Sequence, residues 1–226
     1  MITAGGQNPF RADDGSAHPA VAAALAAFAA GQDSEHAALT VLAGSRLLVP
    51  VAAAGAGPGH HSEMSVPTLI GRDGRPAIPA FTCLGALARW RPDARPVPEE
   101  ARRVWRAAAS DSAAVVVDIA GPVPLAVDGA RLAALAEGRP VPLPHQDPDV
   151  LAVVRAVAQP RPAIRLLDVA AGQDGSDLVV RVALAAGTAQ AAGQHEMRLL
   201  GAELMTELGN RLRRGIALAA VGGAGR

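Results

Sequence analysis

Residues 113–119 constrain this chain more than any other stretch, because Val115, Val116 and Val117 leave no polar face to turn toward water. A strand of that kind needs cover on both faces and a neighbour along each edge. The expectation is a sheet with this run as a central strand, residues 123–127 beside it, and helices packed on top.

The helices that would supply the cover are legible upstream. Pro19 sits at the first turn of a helix that places Val21, Leu25 and Phe28 on one face and ends at Gly31. Asp33 or Ser34 starts a second, with Ala38, Leu39 and Leu42 inward, and residues 46–51 read as a buried strand. Residues 66–71 and 76–81 flank Arg72-Asp73-Gly74-Arg75, an Asp-Gly hairpin signal, while Pro67, Pro76 and Pro79 point to a sheet edge. Thr82 is expected to cap a short helix through Leu84 and Leu87 to Trp90, and residues 91–97 to be a Pro-rich connector. Pro98, Glu99 and Glu100 then read as the start of a helix carrying Ala101, Val104, Trp105 and Ala108 on one face, and Asp128 as the cap of another carrying Leu132 and Leu135.

Pro140, Pro142 and Pro144 mark a boundary, and 226 residues suit two modules of roughly 100 each. The division is placed at 1–140, with residues 1–15 as a loop, and 141–226. The second part has its own logic. Asp147-Pro148 opens a helix with Val150, Val153, Val154 and Val157 inward, and residues 164–170 and 177–184 form a hairpin about Asp174-Gly175. A longer helix carries Met197, Leu200, Leu204 and Leu208, and residues 216–221 are a last strand. The fold class is α+β (mixed α/β): two small modules, each a mixed or antiparallel sheet with helices packed on it.

Composition narrows the function classes. Half the residues are apolar, with three Phe, two Trp and no Tyr, so the cores are aliphatic. Every basic residue is Arg, yet the net charge is zero with both signs interspersed, which leaves no basic face for nucleic acid. No stretch reaches the roughly 20 apolar residues of a membrane span, and residues 17–30 follow Asp13 and Asp14 instead of a basic segment, so they read as helix and not as an export signal. The single Cys83 excludes an internal disulfide and fits the cytoplasm.

Several stretches resemble the actinobacterial SseB family, named for enhanced serine sensitivity. They are Asn8-Pro9-Phe10 before Asp13-Asp14-Gly15, Leu47-Leu48-Val49-Pro50-Val51, Glu63-Met64, and a longer series running from Pro67 through Arg72-Asp73-Gly74-Arg75, Pro79-Ala80-Phe81-Thr82, Ala88-Arg89-Trp90 and Arg95-Pro96-Val97-Pro98 to Gly121-Pro122. The likeness covers the first 140 residues in motif and the remainder in pattern. It implies an intracellular mixed α/β fold with an SseB-like C-terminal domain, and it brings no catalytic residues with it. Cys83 stands where the family pattern has Ser.

Each candidate for chemistry has a structural counterpart. Cys83 at a helix start could be an activated thiol, but no His or acid lies near it in sequence, and burial or capping explains it. His60, His61 and Glu63 are metal-ligand types in a Gly-rich loop without the fixed geometry a site needs. His195-Glu196 lacks the second His of the zinc-protease helix, since Leu199 stands four residues on. Asp13 and Asp14 lack the alternating ligands of a calcium loop. Arg211, Arg213 and Arg214 suit a helix end. No catalytic residue, cofactor or metal is assigned. Arg72, Asp73, Arg75 and Trp90 are the candidate binding residues, with a protein partner or a homo-oligomer as the expected association, and neither nucleic acid nor membrane. The reading is a non-catalytic protein-binding or regulatory protein. Its alternative, an enzyme or small-molecule sensor of serine or sulfur metabolism, is prompted by the family name and Cys83.

Overall fold

The computed structural model describes residues 10, 12–53, 64–121 and 124–221. In chain order its elements are helices α1 (Pro19–Ala29) and α2 (Glu35–Leu42), strands β1 (Arg46–Ala53), β2 (Met64–Ser65), β3 (Leu69–Ile70) and β4 (Pro76–Ala80), helix α3 (Leu84–Trp90), strand β5 (Arg95–Glu100) and helix α4 (Ala101–Ser110). They continue with β6 (Ala114–Val117), β7 (Leu125–Val127), α5 (Gly129–Glu137), a 3-10 turn (Pro144–Gln146), α6 (Pro148–Ala158), β8 (Ile164–Ala171), β9 (Leu178–Leu184), α7 (Gln190–Leu208) and β10 (Ile216–Ala220). The fold is mixed α+β. The chain divides into two compact units: Met1–Ala23, Val41–Asp128 and Leu135–Arg139 form the first, and Ala24–Thr40, Gly129–Ala134 and Pro140–Arg226 the second.

In the first unit, β6 lies between β4 and β7 in a sheet ordered β3-β4-β6-β7, parallel to β4 and antiparallel to β7. Val115 and Val117 are fully buried and Val116 is half-buried, so the valine run is a central strand as its sequence demands. A second ladder, β2-β1-β5, reaches this sheet through a bridge between Leu48 and Phe81.

The prolines fall where they cost no hydrogen bond. Ala80 accepts from the Asp118 N–H of the β6 chain, so Ala77 and Pro79, one position out of phase, turn their backbone toward β3. That strand pairs only with Pro76 and Ala77, so the missing N–H of Pro79 lies past its end and β4 is interior despite two prolines.

Residues 95–100 correct the sequence reading. The expected connector and helix start is strand β5, antiparallel to β1 over six residue pairs. Leu48 spends its backbone groups on Phe81, so its partner Pro98, and by alternation the Pro50–Pro96 pair, occupy positions that bond nothing across β1–β5. Helix α4 consequently starts at Ala101, with no acidic residue in its first turn. Its inward face is as expected: Ala101, Val104, Trp105 and Ala108 are buried.

In the second unit, β9 is the middle strand of the order β10-β9-β8, antiparallel to β8 and parallel to β10. Leu178, Val180 and Val182 of β9 meet Val150, Val154 and Val157 of α6 and Leu200, Leu204 and Leu208 of α7 in one aliphatic core. Asp174 and Gly175 both have positive φ, 51° and 87°, the backbone of a two-residue hairpin turn. Asp147 caps α6 by accepting the Asp149 N–H, and Asp149 Oδ2 in turn accepts the Ala130 N–H at the start of α5 at 2.8 Å.

Candidate functional site

The hairpin tip between β3 and β4 is built by a short loop. The Gly74 N–H donates to the Gly71 carbonyl at 2.9 Å, and Gly74 takes φ 79°, a conformation that a side chain would strain. Only the glycine of this Asp-Gly pair is left-handed, so the tip is a wider turn than the two-residue hairpin its sequence suggests. Asp73 accepts from the Arg75 N–H at 3.1 Å and holds the Arg75 guanidinium at 2.6 Å. That guanidinium also reaches Asp128, the residue after β7, at 3.0 Å. Its hydrogen bond to Arg75 draws the Asp73 carboxyl below its ordinary value, and the Asp73 and Asp128 carboxylates hold Arg75 above its own.

The structure thus joins Asp73 and Arg75 into one arrangement and adds Asp128, which the sequence offered as a helix cap. Arg72 is exposed on the same turn, and Ile70, on the edge strand β3, is 70% exposed. Among the described residues it is the most open to water of the large apolar side chains. Nothing in the local sequence marks it, because a two-residue strand has no periodicity to read.

Trp90 is not part of that surface cluster. Its ring lies 5.3 Å from Phe81, and it packs with Cys83 and Ile119 on Leu48, Ala86, Leu87 and Ala94. Trp105 is fully buried. Cys83 caps α3: its Sγ accepts the Ala86 N–H at 3.4 Å, the role expected of Thr82. Thr82 instead gives its N–H and hydroxyl to the two carboxylate oxygens of Asp118, at 2.9 and 2.7 Å, and its carbonyl accepts from Arg46. Asp118 sits at φ 50° just past β6, so the Thr82–Asp118 clamp fastens the ends of the parallel strands β4 and β6. No spacing rule links two residues that meet only through the sheet.

His60, His61 and Glu63 lie outside the described residues; among those described, no group of three or more His, Cys, Asp or Glu could hold a metal. Asp13 and Asp14 border a surface cavity of about 650 Å³, but their polar groups are engaged. Asp13 pairs with Arg46 at 2.6 Å, and Asp14 accepts the Ser16 hydroxyl at 2.6 Å. In the second unit, Glu35 lies 2.5 Å from Arg131 and 3.3 Å from Arg211, and Arg211 lies 2.5 Å from Asp147. At 5, 3 and 1% exposure for Glu35, Arg131 and Asp147, these charges are interior and sum to zero with Arg211, which makes them structural. Sequence separation hid this network too. Among the described residues no helix is long and apolar enough to cross a membrane.

The family model for the SseB protein N-terminal domain matches residues 21–134. No curated protein and no solved structure matches the chain.

Proposed function

The chain belongs to the SseB family, and from that premise we propose that it is a non-catalytic protein-binding or regulatory module of the cytoplasm, acting through the β3–β4 hairpin. The observation that carries this is the 70% exposed Ile70 on an edge strand, flanked by the exposed Arg72 and by an Arg75 held in place by Asp73 and Asp128. Apolar surface ringed by oriented charge is what a partner with an acidic rim and an apolar centre would meet. Trp90 packs on Phe81, the residue after β4, and the proposed modules, 1–140 and 141–226, separate a binding part from a second α+β part whose compact unit also takes in Ala24–Thr40 and Gly129–Ala134.

The test is retention of partners by the tagged full-length chain in native lysate, compared with Arg72→Ala plus Arg75→Ala and with Ile70→Ser. Specific partners lost in both variants support the reading. Identical retention by all three proteins sinks it.

A further inference from the structure

Edge strands of soluble proteins are normally guarded against pairing with another chain, by charges, prolines or bulges. In β5 the guards are Pro96 and Pro98 with Arg95, Glu99 and Glu100. In β8 they are Arg165, Asp168 and a register shift between Leu166 and Asp168. β10, the other edge of the second unit's sheet, reads Ile-Ala-Leu-Ala-Ala and has none: no charge, no proline and an unbroken register with β9.

The ladder decides which backbone groups this edge offers. Val221 donates its N–H to Val182 and Gly215 accepts from Asp177, so odd-numbered residues of β10 turn toward β9. Ile216, Leu218 and Ala220 therefore point their N–H and C=O groups away from the sheet. Beside that row runs a groove of about 400 Å³ between β10 and α7, floored by Leu184, Met197 and Leu218 and rimmed by Gln194, Arg198 and Ala220. Gly193 lets the helix sit close, since a Cβ there would fall 2.5 Å from Leu184 Cδ1. Arg198 is exposed, no carboxylate of the described residues pairs with it, and the first turn of α7 has no acidic residue.

We propose that this edge and groove form a strand-accepting site for an extended peptide segment that carries an acidic side chain toward Arg198 and an apolar one into the groove. Main-chain hydrogen bonds to Ile216, Leu218 and Ala220 supply the pairing. The alternation of side chains along a strand sends every second residue toward α7, where Leu184, Met197 and Leu218 take the apolar one. Arg198 selects the charge: an acidic residue there gains a partner, whereas a basic one is repelled. The inference rests on the protein-binding reading but places a second surface in the other unit.

A phage-displayed library of random dodecapeptides, selected on the full-length chain, tests it. An acidic residue two positions from a Leu, Ile or Val, so that both side chains face α7, is expected in the enriched sequences. A synthetic peptide of that kind should lose at least tenfold in affinity, by fluorescence anisotropy, to Ala220→Pro, which deletes an outward N–H and leaves the β9 ladder intact. Arg198→Glu should weaken it as much, and exchanging the peptide's acid for Lys should restore binding to that variant. Arg72→Ala plus Arg75→Ala should leave the affinity unchanged; a loss in this variant alone would assign the peptide to the hairpin and overturn the groove without touching the protein-binding reading. The groove is equally refuted if no peptide enriches, if both β10 and α7 variants bind as the parent does, or if sedimentation shows a dimer that Ala220→Pro dissociates, since the edge then belongs to a second copy.

Discussion

Asp177 is 6% exposed, and its Oδ1 is buried without a hydrogen-bond partner while Oδ2 accepts the Arg214 N–H at 2.9 Å. Burial pushes its carboxyl above the ordinary value, and Asp33 adds to the effect against the pull of Arg214. The folded protein thus holds this proton more tightly than the unfolded chain, so the contribution to stability falls as pH rises from the ordinary carboxylate value through the raised one. Asp177→Asn keeps the acceptor for Arg214 and removes the charge. It should melt above the parent at pH 7, with the gap closing as the pH is lowered below the ordinary carboxylate value. A constant gap across that range would contradict the assignment. Asp147 is a buried carboxylate that is both the α6 cap and the partner of Arg211. Asp147→Ala should cost about 3–5 kcal/mol in denaturant unfolding, since it leaves Arg211 underpaired in the interior, and Asp147→Asn, which retains the cap, should cost less.

Elements here depend on a few close approaches. In the β8–β9 connection a Cβ on Gly172 would fall 2.0 Å from the Ser176 carbonyl oxygen, a backbone atom that cannot step aside. Gly172→Ala should therefore destabilise the second unit by about 1–3 kcal/mol, and hydrogen exchange should speed most along β8 and β9. Helix α3 behaves differently. Its cap at Cys83 is a sulfur accepting one N–H, and a hydroxyl does the same work, so Cys83→Ser should leave the melting temperature unchanged or higher while Cys83→Ala costs about 0.5–1 kcal/mol of stability. A marked loss in Cys83→Ser would mean that the thiol is needed for packing beside Trp90.

For the whole molecule, the second compact unit draws on distant parts of the chain: Glu35 and Arg131 pair with each other, and Glu35 with Arg211. A fragment beginning at residue 141 lacks both partners. It should melt well below the full-length chain, and Arg211→Met should cost the fragment less than it costs the intact protein, because Asp147 loses its partner in both but Glu35 only in the intact chain; equal costs in the two would show that Glu35 contributes nothing to Arg211. Local order was readable wherever a residue's role is set within a few neighbours. The valine run, the apolar faces of α1, α2, α4, α6 and α7, and the Asp174-Gly175 turn follow from side-chain periodicity and backbone preference, and the motifs from Asn8 to Pro122 were enough to place the family. Tertiary structure alone decided the rest. Arg95–Glu100 became a strand because β1 offered a register in which both prolines face positions that need no N–H. Thr82 found Asp118, Arg75 found Asp128, and Glu35 found two arginines across separations of 36, 53, 96 and 176 residues. Periodicity speaks for one element at a time, whereas a buried charge or an open edge is defined by what the neighbouring elements bring to it or leave uncovered.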